Sequence, residues 1–162
     1  MKALLRFIGK KKPDNTTVTD FDLSRYAGRW YEIARYDHRF EHGLTNVTAE
    51  YSVMDDGSIK VFNAGLQAKT GKKSEIIGRA KTTGTTGLLR VSFFWKFYSD
   101  YRVMALAEDY TWALVGAGKS DRYLWILSRT ETLNDDTLKT ILAEAERRGY
   151  DTQRLIIDNK QK

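Results

Sequence analysis

The chain has 162 residues, 41% of them hydrophobic and 12% aromatic, enough for one domain with a substantial core. It contains no cysteine, which excludes disulfides, thiolate metal sites, thiol nucleophiles and cysteine-borne lipid anchors among these residues. The charge of +6 is concentrated: five of the 27 basic residues (Lys2, Arg6, Lys10, Lys11, Lys12) fall within residues 1–12 beside no acid, leaving 22 bases against 21 acids, so no nucleic-acid partner is expected.

Residues 1–19 read as a basic tail and a linker (Asp14-Asn15-Thr16-Thr17), with one domain over residues 20–162. Leu4-Leu5-Arg6-Phe7-Ile8 is too short for a signal-peptide core, and no small-residue cleavage site follows. Met1, Leu4, Leu5 and Ile8 share one helical face ahead of Lys10 to Lys12, the pattern of a short interfacial anchor on a membrane surface; a basic leader without structure is the alternative.

Residues 20–26 predict a helical turn, and residues 28–36 a strand rich in aromatic and β-branched side chains. A polar-aromatic loop, His38-Arg39-Phe40-Glu41-His42-Gly43, follows. Residues 46–53 alternate with period two, Asp55-Asp56-Gly57 supplies a hairpin turn, and residues 58–66 return. Further strands are expected at 74–83, 88–94, 100–107, 110–117 and 122–128. Asn134 is placed to cap a helix with Asp135 and Asp136 at its positive end and the apolar stripe Leu138, Ile141, Leu142, Ala145. Gly149 lies just past its end, and residues 154–157 form a last short strand. The pattern is all-β: an eight-stranded antiparallel up-and-down β-barrel with one C-terminal α-helix and a short final strand.

Gly28-x-Trp30 at the head of such a chain resembles the first signature of the lipocalins. Glu108-Asp109-Tyr110 is similar to their Thr-Asp-Tyr signature, with Glu108 in place of Thr. Arg129 ends the eighth strand, where the family sets an Arg across the first-strand Trp. The run Trp30-Tyr31-Glu32-Ile33-Ala34-Arg35, with Phe40-Glu41-His42-Gly43 and Trp125-Ile126-Leu127, resembles the bacterial outer-membrane type of lipocalin and its animal relative apolipoprotein D. The resemblance implies a calyx that binds, stores or transports a small hydrophobic ligand, a fatty acid or lysophospholipid, as monomer or homodimer, with no cofactor and no catalytic residue. It gives Gly28, Trp30, Asp109, Tyr110 and Arg129 structural roles. The outer-membrane location of the bacterial members depends on an acylated Cys, which these residues do not include.

With Trp30 inward, period two places Glu32, Ala34 and Tyr36 inward as well. Leu127, Trp125 and Tyr123 share the side of Arg129. The resemblance to apolipoprotein D adds Tyr51, Asn63, Phe93 and Tyr101; Val47, Ala49, Val53, Val61, Val91 and Val103 follow by alternation. The expected ligand wall is therefore Ala34, Tyr36, Tyr51, Asn63, Phe93, Tyr101, Tyr123, Trp125 and Leu127, while the orientation of Trp112 is not fixed. A filled barrel at a membrane surface and a lipocalin-fold enzyme acting on a small lipophile are the alternatives; the family's best-known isomerase uses a barrel Cys, and this chain has none.

Three motifs suggest other chemistry. His38-x-x-Glu41-His42 matches an inverted zincin pattern but follows a strand and meets Gly43, so no metal site is expected. Gly118-Lys119-Ser120 ends like a P-loop, but Ala113 stands where its first Gly should be and no helix follows. Glu32 with Glu41 forms an acid pair for which sequence supplies no positioned partner.

Overall fold

A computed structural model describes residues 12–94, 97–118 and 121–162. A one-turn helix, α1 (Leu23–Tyr26), is started by the Asp22 carboxylate, which accepts from the Ser24 amide. Eight strands follow: β1 (Gly28–Tyr36), β2 (Leu44–Val53), β3 (Ile59–Gln67), β4 (Lys73–Thr82), β5 (Leu88–Phe94), β6 (Phe97–Leu106), β7 (Trp112–Ala117) and β8 (Leu124–Ser128). Each pairs antiparallel with its sequence neighbours, and β1 pairs with both β2 and β8, which closes the barrel. Closure leaves these eight strands no free edge. The sixth strand begins three residues earlier than the pattern predicts.

Helix α2 (Asp135–Arg147) starts where the sequence marks it: Asn134 accepts from the Thr137 amide. Past its end, Gly149 has φ +95°, a conformation that L side chains rarely adopt. A 3₁₀ turn (Thr152–Arg154) leads to β9 (Leu155–Ile157), which pairs with the upper half of β1.

The sheet carries a core on each face. Inside are Trp30, Tyr51, Ile59, Val61, Leu89, Val91, Val103, Val115 and Leu127, closed below by Tyr26 of α1. Outside, α2 lays Ile141 and Ala145 on Ile33, Met104, Leu114, Leu124 and Ile126. Trp112 packs on this outer core.

One bulge determines which face several β1 residues take. Glu32 stands opposite Leu127 and Ala34 opposite Ile126, so Ile33 is one residue in excess of β8. Beyond it the alternation reverses. The expectation that Ala34 and Tyr36 face the calyx is therefore corrected: both belong to the outer core, and the Tyr36 hydroxyl donates to the carbonyl of Asp151. Arg35 turns inward instead, opposite Trp125. Val53 is corrected too, since β2 carries it past the barrel floor and leaves it 49% exposed.

The supposed linker is strapped to the barrel. The Asp14 amide donates to Arg148 O, the Val18 amide to Val103 O and the Asn15 side chain to Gly118 O. The proposed anchor in residues 1–11, and Lys119 and Ser120 of the P-loop-like turn, lie outside the described residues.

Candidate functional site

The barrel has a floor locked by Arg129, an aromatic middle and, at the opposite end or mouth, a polar cluster. At the closed end the Arg129 guanidinium lies over the Trp30 indole, 3.7 Å from its centroid. It donates to the carbonyls of Arg25, Tyr26, Arg29 and Tyr110. The indole Nε1 donates to Tyr26 O at 2.8 Å, so stack and hydrogen bonds converge on one turn. Gly28 enters β1 beside Arg129 with φ +98°, a conformation that L side chains rarely adopt. Tyr110 accepts the Asp22 amide on its hydroxyl and carries the Arg25 guanidinium over its ring. The Asp109 carboxylate accepts from the Thr111 amide and hydroxyl, fixing the turn before β7.

Above the floor, Tyr26, Tyr51 and Tyr101 join hydroxyls, Tyr51 donating to Tyr101 at 3.1 Å and Tyr101 sharing a hydrogen bond with Tyr26. Burial pushes all three phenols up, Tyr51 to about 12, so all are neutral across the physiological range. Phe93 packs on this cluster, as do Trp125 and the wall valines. Its ring lies flat against β4: a Cβ on Gly78 would stand 2.6 Å from it. Glycine inside a strand is the sequence signal of such close approach. Asn63 stands opposite Ala49 on the inner face, and its buried Oδ1 has no partner among the described residues.

The mouth is not apolar. Arg35 donates from Nη1 to Glu32 Oε1 at 3.0 Å, and from Nη2 to the carbonyls of Glu41 and Leu44. Its Nε lies 3.5 Å from Glu41 Oε2. The cluster fills the place where β1 and β2 part: their last paired residues are Tyr31 and Thr48, and β9 takes the rest of β1. The guanidinium thus satisfies carbonyls of the loop between β1 and β2. Burial pushes the Glu32 carboxyl well above its usual range, and the Glu41 charge adds to this. Burial acts on Glu41 in the same sense, but the neighbouring His38 and Glu32 side chains and the charge of Arg35 outweigh it and hold Glu41 low. The environment thus drives the two carboxyls apart, Glu32 toward its protonated form and Glu41 toward its charged form.

The His38-x-x-Glu41-His42 pattern separates in space. The His38 side chain is 9% exposed, 3.6 Å from Glu41 and edge-on to Tyr123 and Trp125, whereas His42 is 76% exposed and bonded to Asp37. Tyr123 stacks on Trp125 at 5.6 Å. Of the nine residues expected on the wall, Tyr51, Phe93, Tyr101, Trp125 and Leu127 meet in one inner cluster, Asn63 and Tyr123 stand beside it, and Ala34 and Tyr36 do not. Sequence reasoning missed Arg35 and His38, because the bulge that turns Arg35 inward depends on the register of β8.

A family model described as a lipocalin-like domain matches residues 21–160. The chain is 49% identical over 143 residues to the outer membrane lipoprotein Blc of Escherichia coli (strain K12), covering 87% of this chain and 80% of that protein. It is 46% identical over 147 residues to the protein of the same name from Vibrio cholerae, covering 89% and 85%. It is 38% identical over 135 residues to apolipoprotein D of Macaca fascicularis, covering 76% and 70%. Among solved structures, insecticyanin from the tobacco hornworm superposes with a TM-score of 0.73 at 22% identity, covering 92% of this chain and 86% of that one, a likeness of fold.

Proposed function

The chain belongs to the lipocalin family, whose members generally bind and transport small hydrophobic molecules, and on that premise we propose that its calyx takes a single-chain amphiphile, a fatty acid or lysophospholipid. The observation that carries this reading is the continuous inner wall of Tyr51, Phe93, Tyr101, Trp125 and Leu127, standing between a sealed floor and a polar mouth. An acyl chain against that wall leaves water, at about 0.8 kcal/mol per methylene, so ten methylenes give roughly 8 kcal/mol before association costs. The head then meets the mouth. There Glu41 Oε2 and both His38 nitrogens, and deeper in the barrel Asn63 Oδ1, have no hydrogen-bond partner among the described residues, which favours a ligand with a polar head. Binding rather than catalysis is the role these groups support.

The names of the Escherichia coli and Vibrio cholerae relatives place those proteins at the outer membrane, and we assign this chain to the same envelope. A membrane contact through the N-terminal basic tail, residues 1–19 with Lys10 to Lys12, belongs to the same reading.

Lipid extraction of the purified protein followed by mass spectrometry should find one acyl amphiphile per barrel. A fluorescent fatty acid should bind and be displaced by long-chain lipids. Trp125→Ala or Tyr51→Ala should weaken the probe about ten-fold or more, and Trp112→Ala, on the outer core, less than three-fold. Equal losses in all three, or no displacement by any lipid, would overturn the calyx assignment.

A further inference from the structure

The mouth holds two carboxyls against one guanidinium. Glu32 stands opposite Leu127 of the inner cluster, and Glu41 reaches the same Arg35 from the loop between β1 and β2. The charges of both add to the burial that raises the Tyr51 phenol, so both bear on the aromatic wall. Among the described residues Arg35 is the one Lys or Arg that pairs with either acid. Four buried polar atoms here, Arg35 Nε, Glu41 Oε2 and both His38 nitrogens, make no hydrogen bond among the described residues, and the first two are 3.5 Å apart. The inner face becomes exposed toward this end. On β4, inner Ala80 near the floor is 2% exposed, and Ile76, opposite Asn63, is 37% exposed. On β3, β5 and β8 exposure rises in the same direction, from Val61, Leu89 and Leu127 to Asn63, Phe93 and Trp125.

We infer that the calyx takes a fatty acid together with one proton, its head seated as a neutral carboxyl between Glu41 Oε2 and Arg35 Nε. The inference rests on the amphiphile proposed above and says in which form an acid head is held. Charge sets the proton count. Two acids already stand to one guanidinium. A third entering ionised would add a negative charge to an enclosed cluster, whereas one entering with a proton leaves the charge unchanged. Burial, and then the Glu41 charge, already push the Glu32 carboxyl up, the response of a site short of cations. Hydrogen bonding sets the position. A neutral carboxyl has an O–H to donate and a carbonyl to accept, which answers Glu41 Oε2 and Arg35 Nε–H together. A carboxylate has no donor and would leave Glu41 Oε2 bare. The proton is common to the ligand carboxyl, Glu32, Glu41 and the His38 imidazole, which lies 3.6 Å from Glu41, and its resting place does not alter the count. The other titratable groups facing the cluster are phenols, Tyr51 on β2 and Tyr123 before β8. Each acid bound removes one proton from solution, so affinity rises as pH falls.

Calorimetry of the full-length chain with decanoic acid and 1-decanol tests this. Buffers of different ionisation enthalpy are used from about pH 7.5 to about pH 9, where the free acid is a carboxylate. Decanoic acid should bind with uptake of about one proton and weaken about ten-fold per pH unit. 1-Decanol, which carries no acid, should bind without proton uptake and with the same affinity across the range. Decanoic acid bound without proton uptake would overturn the proposal and leave the calyx standing as a ligand site. Binding of neither compound would overturn the calyx assignment itself. In Glu32→Gln/Glu41→Gln the guanidinium faces two amides, and a carboxylate can enter as its partner. Proton uptake should then vanish, and decanoic acid at about pH 9 should bind about ten-fold tighter than to wild type, or more. Proton uptake by this variant equal to that of wild type would place the acid head away from these residues and overturn the site. If the variant fails to bind 1-decanol, the wild-type proton count decides alone.

Discussion

Arg129 shows how much one side chain does at the closed end. Its planar fork reaches four carbonyls from α1, β1 and the turn before β7, while its face covers the indole of Trp30. Burial lowers its pKa from the usual value, but a guanidinium remains charged throughout the working range. Removing it leaves carbonyls short of donors and uncovers the ring. Arg129→Ala should cost about 1–3 kcal/mol, seen as a melting temperature lower by roughly 3–10 °C. Lysine should rescue little, since a single ammonium cannot span four acceptors. Affinity for the fatty-acid probe should change less than about three-fold, because the lock lies below the tyrosine cluster. A variant with unchanged melting temperature and lost binding would move Arg129 into the ligand site. Gly78 is as specific in the opposite sense, contributing the absence of a side chain. Alanine there would drive a methyl into the Phe93 ring and the Ser92 carbonyl, both 2.6 Å away, at a cost of about 1–3 kcal/mol in thermal or urea unfolding.

Among the elements, α2 is held by its apolar face and, at its C-terminal end, by one polar tie to the rest. Arg148, just past its end and nearly buried, donates to Glu144, to the carbonyls of Asp14 and Thr16, and to Met104 O on β6. Hydrogen bonds from Arg147 and Arg148 hold the Glu144 carboxyl down to about 2. A lowered carboxyl contributes stability above its unfolded value near 4.5 that is lost as pH falls toward 2. Arg148→Ala should cost about 2–4 kcal/mol and release residues 13–18 first. Limited proteolysis should show cleavage there before any in the barrel; simultaneous loss of both would mean that the segment is held by other contacts. The helix and the strands were legible from sequence for local reasons. Asn134, Asp135, Asp136 and Gly149 mark both ends of α2, and the strands alternate between Gly- and Asp-containing turns. On the inner wall, Trp125 and Leu127 of β8 follow from period two, whereas Tyr51, Asn63, Phe93 and Tyr101 rest on the resemblance to apolipoprotein D; β6 breaks its alternation after Val103, where Met104 and Ala105 both join the outer core. What β1 does above Glu32 was not legible, because nothing in Glu32-Ile33-Ala34-Arg35 shows that β8 matches four residues with three. Arg35, His38 and Glu41 were illegible as a cluster because a folded loop, not a spacing, brings them together.

For the molecule as a whole, the polar mouth makes stability depend on pH. Glu32 has its pKa raised above the ordinary 4.5, first by burial and then by the Glu41 charge. The folded state therefore keeps a proton that the unfolded chain gives up, so stability is greatest below about 4.5 on this account and falls as pH rises through the raised value. One proton sets a limit of about 1.4 kcal/mol per pH unit. Glu32→Gln keeps the bond to Arg35 Nη1 but has no proton to lose. Urea unfolding from about pH 5 to about pH 9 should show wild-type stability declining and the Gln variant flatter. Both stay below the range where the buried tyrosines ionise. Parallel curves would show that Glu32 holds no extra proton in the fold.

The extra residue at Ile33 works as a frame shift inside a strand. Below it β1 is read in one phase, with Trp30 and Glu32 toward the calyx; above it the strand is read in the other, with Ala34 and Tyr36 toward the helix. Parity, not composition, is therefore what this segment has to keep. Deleting Ile33 would close the bulge and leave both readings where they are, whereas one more residue between Trp30 and Arg35 would put the upper reading out of phase, throwing Arg35 under α2 and the Tyr36 ring into the barrel. The same insertion in the turn at residues 68–72 would leave every inward residue where it is.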